Sequence, residues 1–518
     1  MAAEPPPRRY SDREPVDAVV IGAGGGGAPI LMKLAQAGLS VVCLEAGRSW
    51  SPKDDFASDE MEQEKLFWKD ERLSAGEDPI AFGRNNSGIG VGGSTLHWTA
   101  YAVRPQPDDL RLRAEFGVGR DWPMTYLELE PYLDEVERML GVSGPSPYPW
   151  GPPRSAYPRP PLPLNGAAQI MQAGGAQLGL RTSPAPNAAP SSDYDYAGLH
   201  RPACTSRGFC QAGCSVGAKG SADVTFIPLA LRAGAEVRER AFVTGFEREG
   251  DGRLSAVLYT DAEGREQRQR CGTVFLCAGG VESARLLLIN DLANSSGQVG
   301  RNFMAHPALQ IWAEVDAFVK PTRGIPGGLI SEDTHRPEDV SFAGGYLVQS
   351  IGVMPMTYAS QMARGYGLWG EALTSHMRRF NHVVGINICG ECLPHPDNRL
   401  TLSDELDARG LPKPMIDFSN GDNEKALTAH GDRLMTAVLE AAGAYALKRT
   451  PRNAHTLGAC RMGSDADDAV VNADCRSFEI SNLYVCDNSV YPSALSVNPC
   501  VTQMALSLRT ADRFLARR

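Results

Sequence analysis

Three thiols crowd into one short stretch of this chain. Cys204, Cys210 and Cys214 stand in R-P-A-C-T-S-R-G-F-C-Q-A-G-C-S-V-G-A-K, a C-x5-C-x3-C spacing punctuated by glycines that let a loop wrap. A disulfide would leave one cysteine over, so a metal ion or an inorganic cluster is the better use of the set. Three thiolates can hold a three-iron cluster, whereas a four-iron cluster ordinarily takes four. Zinc would also want a fourth ligand, and His200 is the one histidine nearby. A loop that binds nothing stays open as well. Two further groups could move a proton or orient a substrate: His455 opens H-T-L-G-A-C-R-M-G and Asn498 opens N-P-C-V-T. An imidazole exchanges protons near neutral pH, and a position before a glycine turn can face a cleft. Asn498 can hydrogen-bond a substrate oxygen, cap the helix that follows Pro499, or do both.

These groups need a scaffold, and its clearest part is Val16 to Gly47. V-D-A-V-V-I-G-A-G-G-G-G-A-P-I-L-M-K-L-A-Q-A-G-L-S-V-V-C-L-E-A-G reads as an apolar strand, a glycine turn, a helix, a second strand and a terminal acid. That order builds a dinucleotide pocket. Gly22 lets the chain turn, Gly24 lets the backbone approach a pyrophosphate, Gly27 lets the helix pack on the sheet, and the helix N-terminus faces the phosphates. Glu45, 23 positions after Gly22, is placed to accept both hydroxyls of an adenosine ribose and disfavours a 2′-phosphate. C-G-T-V-F-L-C-A-G-G-V-E-S-A-R-L-L-L-I-N from Cys271 predicts another buried strand, glycine turn and helix. The alternation from Ala235, with a turn at Asp251-Gly252, predicts hairpin strands. Ala308 to Asp417 predicts a separate antiparallel sheet. Nine prolines between Gly144 and Leu164 exclude a regular helix there, while Pro131 to Leu140 and Ala167 to Leu178 have helical spacing. The chain closes with a strand ending at Asp487 and an amphipathic helix after Pro499.

At 518 residues, two domains or one with large insertions is the default. The net charge of -10, with no long basic run, argues against a nucleic-acid partner. No stretch of eighteen uninterrupted apolar residues predicts a membrane span, and the N-terminal residues lack the apolar core of a signal peptide. Twelve cysteines in a chain this long do not form a disulfide framework. Cys43, Cys277 and Cys486 read as small core residues, and C-G-E-C at Cys389 and Cys392 as core or structural.

With these pieces in order, the chain resembles the glucose-methanol-choline (GMC) family of flavin oxidoreductases over nearly its full length. The resemblance rests on G-A-G-G-G-G with Glu45, N-N-S-G-I-G-V-G-G-S-T-L-H-W-T-A from Asn85, the Cys271 segment, V-G-R-N-F-M-A-H-P from Val299, and the His455 and Asn498 segments. It implies an α/β fold in which a Rossmann-like FAD-binding domain carries a second, substrate-binding domain with a mainly antiparallel sheet. Residues 13–125, 191–305 and 451–518 would form the first, 306–450 the second, and 126–190 a proline-rich connection with helices. It also implies oxidation of an alcohol carbon by hydride transfer to flavin N5, with His455 as the base for the hydroxyl proton and Asn498 as its partner. Gly92, Gly93 and Ser94 would run beside the ring with Asn498 and Pro499. His97 would either carry the flavin covalently or pack near it. Asp487 would meet the ribityl or pyrophosphate region, and Val243, Ala278 and Gly279 the adenosine side.

The cysteine segment resembles one branch of that family, the catalytic subunits of bacterial glucose, fructose and gluconate dehydrogenases. That implies a 3Fe-4S cluster on Cys204, Cys210 and Cys214, a small companion subunit and a cytochrome c-type electron acceptor. Export to the periplasm on the companion's twin-arginine signal goes with the branch, and a cytoplasmic enzyme fits equally. The expected substrate is a sugar or glycoside hydroxyl, oxidised to a ketone or lactone. An oxidase using oxygen and a non-catalytic electron-transfer flavoprotein are the alternatives, and the presence of both His455 and Asn498 speaks against the second. Ala305 departs from the acid that relatives commonly carry before His306-Pro307.

Overall fold

The computed structural model describes residues 8–80 and 87–518. Residues 1–7 of the tail, and Asn85 and Asn86 at the start of the expected ring-side segment, lie outside the described residues. Val16–Ile21 (β1) is buried along almost its whole length, as a strand covered on both faces must be. Gly27–Gln36 (α1) leads from it to Val41–Leu44 (β2), which pairs with β1 in parallel. On the other side of β1 the C-terminal half of Glu266–Leu276 (β3) also runs parallel, and Gly279–Ile289 (α2) follows it. Glu236–Arg238 extends the sheet beyond β2, and Leu483–Val485 pairs with the end of β3. The N-terminal half of β3 leaves this layer to pair with the hairpin Phe242–Arg248 and Leu254–Thr260.

A second unit follows. Met304–Pro307 (β4) leads into Gln310–Glu314 (β5), and Tyr346–Ile351 (β6) is followed by the helix Pro355–Tyr366 (α3). Val383–Gly390 (β7) lies between β5 and β6, and Tyr445–Thr450 (β8) flanks β5 on its other side. Leu329–Ser331 and Ser183–Pro184 complete an antiparallel sheet of six strands. Its side chains alternate. Ile311, Ala313, Val348, Ile386 and Ile388 join a core with the helices Gly166–Gln177 and Asp422–Ala441, whereas Gln310, Trp312, Gln349, Asn387 and Cys389 line the interior cavity. Asn453–Leu457 (β9) then returns to pair with β4, and Cys500–Leu515 (α4) closes the chain against α1.

Helix Tyr126–Leu140 begins five residues before the expected Pro131. Thr125 and Glu128 form a capping box there, each side chain accepting the other's backbone N–H, and this fixes the start ahead of the proline. That helix packs on α4, while Gly166–Gln177 packs on the second sheet, so the segment between them spans the two cores. No helix of the described residues is long and apolar enough to cross a membrane.

Candidate active site

A continuous cavity of about 380 Å³ is lined by residues of both units. At its nucleotide end the β1–α1 turn requires its glycines. Gly22 sits at φ +99°, and a Cβ on Gly27 would meet the Gly22 carbonyl oxygen at 1.9 Å. Gly24, Gly25 and Gly26 then border the cavity at the N-terminus of α1, an anion site by geometry. The Glu45 carboxylate accepts from the N–H groups of Ala23 (2.9 Å), Gly47 (2.9 Å) and Gly90 (3.0 Å). A carboxylate has about four acceptor positions, so Glu45 pins the Gly90 segment to the turn and keeps about one for a ribose, where the sequence reading expected two hydroxyls. Asp487 likewise braces the start of α2, accepting from Gly279 N–H (2.9 Å), the Ser283 hydroxyl (2.5 Å) and Ser489 N–H (2.8 Å). Of the residues expected at the cofactor, Gly22, Gly24, Glu45, Gly93, Ser94, His97, Val243, Ala278, Gly279, Asp487, Asn498 and Pro499 line the cavity; Gly27 and Gly92 pack behind it.

His455 owes its position to a bulge. β4 and β9 fall out of register between Met304 and His306, so His455 and Thr456 form the extra length on β9, and His455 takes φ +62°. Bulges and left-handed backbones of this kind re-aim side chains at functional sites. His455 Nδ1 lies 3.0 Å from His306 Nδ1, and His306 Nε2 lies 3.0 and 3.1 Å from the carbonyl oxygens of Ala494 and Leu495. Carbonyls only accept, so His306 carries its proton on Nε2 and offers a lone pair at Nδ1. His455 must then donate from Nδ1, which leaves its Nε2 as a base. Burial first, then the backbone contacts against it, leave His306 with a pKa of about 4. Burial, His306 and Arg452 together hold His455 well below the ordinary imidazole range, so it stands neutral rather than titrating near pH 7.

The chain extends one shell further. Buried Glu391 accepts from the N–H groups of Ala494 (2.8 Å) and Leu495 (3.1 Å), the residues whose carbonyls hold His306. Burial pushes its carboxyl up to about 8. Cys389 is buried in the core, as its core or structural reading expects, and also lines the cavity; one donor atom each from His306, Cys389 and His455 lie within 4.8 Å of one another. Cys392 is buried beside Glu391. Sequence reasoning missed Glu391 because nothing local to C-G-E-C points to residues 494–495.

Asn498 lines the cavity, and its Oδ1 is buried without a partner. Its alternative use as a helix cap is not seen, since the helix starts at Cys500 with Pro499 as its N-cap and no side chain caps it. The same condition recurs around the cavity at His97 Nε2, Trp98 Nε1, Gln310 Oε1, Gln349 Oε1, Gln361 Oε1 and Asn387 Oδ1. Each such atom costs about 1–3 kcal/mol if left unpaired, so the set fits a polar ligand and a ring cofactor bearing hydrogen-bonding edges. His97, packed 4.7 Å from Phe67, has its pKa pushed down to about 3 by burial and then by Lys219.

Cys204, Cys210 and Cys214 share one half-buried loop and feel one another's charge. Among the described residues they are not a set compact enough for a single ion. A polynuclear cluster spans a wider set of thiols. Burial, opposed by Lys219, pushes the Cys210 thiol up to about 12. Lys219 is the strut of this region. Its Nζ donates to the carbonyls of Cys210 (2.5 Å), Leu96 (2.7 Å) and Trp98 (3.3 Å), and its N–H to Cys214 Sγ (3.4 Å). The thiol loop is thereby fastened to the ring-side segment, and Gln211 within it lines the cavity.

Comparison with known proteins agrees with this geometry. The N- and C-terminal GMC oxidoreductase models match residues 80–308 and 394–507. The fructose dehydrogenase large subunit of Gluconobacter japonicus is 31% identical, over 96% of this chain and 97% of that one. The 2-methyl-1,2-propanediol dehydrogenase of Mycolicibacterium austroafricanum is 30% identical, over 97% and 95%. A formate oxidase structure from Aspergillus oryzae superposes with a TM-score of 0.70 at 15% identity, covering 98% of this chain and 99% of that one. With its dinucleotide turn, its second sheet and its histidine facing the cavity between them, the chain belongs to the GMC oxidoreductase family, FAD-binding enzymes that act on CH–OH groups.

Proposed function

We propose that this chain is a dehydrogenase that oxidises a hydroxyl of a sugar or glycoside to a ketone or lactone, and that its electrons leave through a 3Fe-4S cluster on Cys204, Cys210 and Cys214 to a cytochrome c-type acceptor. The observation that carries the oxidation is the fixed tautomer of His455, with an unprotonated Nε2 on a residue that lines the cavity. FAD, when bound, supplies the acceptor for the hydride that leaves the carbinol carbon. Nε2 of His455 takes the hydroxyl proton while Nδ1–H stays on His306. Burial and the neighbouring Arg452 keep the imidazole in the neutral form that can accept. The Asn498 amide, with its Oδ1 free, orients the substrate oxygen.

The Lys219 strut and the position of Gln211 support a short path between the ring and the thiols. A relative named as a large subunit supports a small companion subunit, and export with it to the periplasm completes the reading. Protein purified without oxygen should lose its flavin absorbance on addition of a sugar from a mixed panel. Iron and acid-labile sulfide should be about three and four per chain. Zinc alone, or no metal, would remove the cluster and leave the oxidation standing. Rapid stoichiometric peroxide on admitting air would make the chain an oxidase instead.

A further inference from the structure

The cavity wall facing His455 names a substrate class, and this step rests on the dehydrogenase reading above. Three amides form one row across the sheet: Gln310 on β5 lies opposite Asn387 on β7, and Asn387 lies opposite Gln349 on β6. Residues opposite one another on adjacent strands stand side by side on one face. All three carbonyl oxygens are buried and accept nothing among the described residues, and the Gln361 oxygen on α3 is in the same state. Two residues along β5, Trp312 lies across Gly385, where a Cβ would meet the indole at 2.1 Å. Acceptors in a row beside a flat aromatic face suit a ligand with several O–H donors and a C–H face.

One charge accompanies the row. Among the described residues six side chains of ionisable type other than histidine, cysteine and tyrosine line the cavity: Glu45, Arg72, Glu282, Arg285, Asp487 and Arg452. Arg72 and Arg285 pair with Glu282, Arg285 also with Asp407, and Glu45 and Asp487 accept backbone N–H groups. Among the described residues Arg452 has no such partner. It stands next to the amides. Thr450 pairs with Gln310, and Ala308 N–H donates to the Arg452 carbonyl, so Arg452 is the next rung of the same ladder and His455 lies three residues on. A half-buried guanidinium that lines the cavity without an acidic partner suits an anion, which it can grip through two parallel N–H donors. A single cation matches the single charge of a carboxylate better than a phosphate dianion.

We propose that the cavity takes a polyhydroxylated carboxylate of the sugar-acid type, held at its carboxylate by Arg452 and at its hydroxyls by Gln310, Gln349 and Asn387. The reaction is unchanged: the carbinol C–H leaves as hydride to FAD, its O–H proton goes to His455 Nε2, and a ketone forms.

The test uses the holoenzyme with D-gluconate, D-glucitol, D-glucose and glucose 6-phosphate, read by anaerobic flavin bleaching and steady-state kinetics. Gluconate should give the highest kcat/KM. Arg452→Met should raise the gluconate KM about 100-fold with FAD content unchanged and no rise in KM for the neutral substrates; a fall in kcat shared by all substrates reads the charge lost beside His455. Gln349→Leu should raise KM for charged and neutral polyols alike. Equal or better turnover of a neutral sugar or of the phosphate by the wild-type enzyme would overturn the proposal and leave the dehydrogenase reading in place. So would a KM that rises equally for charged and neutral substrates in Arg452→Met, which would place its charge at the ring. If no polyhydroxylated compound bleaches the flavin, the dehydrogenase reading itself falls. The wild-type comparison decides the matter even should a variant fail to fold.

Discussion

Behind His455 nearly every polar group answers another, the second oxygen of Glu391 being the exception, and in front of it they do not. The rear wall runs from Glu391 through the N–H and carbonyl groups of Ala494 and Leu495 to His306 and then to His455. The front wall presents Gln310, Asn387 and Gln349 with acceptors that meet nothing among the described residues. A satisfied network is stiff and fixes a tautomer, whereas unsatisfied acceptors wait for a ligand that brings donors. Substitutions behind the base should therefore act on kcat, and substitutions in front on KM.

The largest effect belongs to His455, the proposed base that separates the walls. His455→Ala should lower kcat by about 10²–10⁴-fold with FAD retained, measured as the rate of anaerobic flavin bleaching; full turnover in that variant would remove the assignment. His306→Leu takes away the acceptor that sets the His455 tautomer, and a fall of about 10–100-fold in kcat with little change in KM is expected. A change confined to KM would break the contrast. On the front wall Asn387→Leu should do the reverse, raising KM about tenfold, equivalent to one lost hydrogen bond of about 1.4 kcal/mol, with kcat nearly kept.

The smallest effect is one of stability. Glu391 has a folded pKa near 8 because it is buried, while the unfolded chain ionises near the ordinary value of 4.5. Between those pH values the folded state holds more protons than the unfolded one, so stability falls as pH rises through this window. Glu391→Gln should flatten that fall, seen as a Tm that changes less between pH 5 and 8 (roughly the span of the two values). An unchanged pH dependence would mean that the rear wall is not strained by its acid.

Much of the nucleotide end was legible because it is local. Gly22, Gly24, Gly27 and Glu45 sit within one strand-turn-helix-strand unit, and spacing alone places them. The thiol loop was legible for the same reason. His455 and Asn498 came from family resemblance, and the bulge that aims His455 has no sequence signature. The amide row was invisible, since Gln310, Gln349 and Asn387 become neighbours only through the register of three antiparallel strands. One miss was avoidable: Thr125 and Glu128 spell a capping box ahead of Pro131.

Lys219 makes the thiol loop and the backbone at Leu96 and Trp98 a single mechanical part. Damage to the sulfurs then travels along it. With the proposed cluster on those thiols, a preparation left in air should lose its yellow colour in step with its iron, well before the far-ultraviolet signal of the folded chain declines.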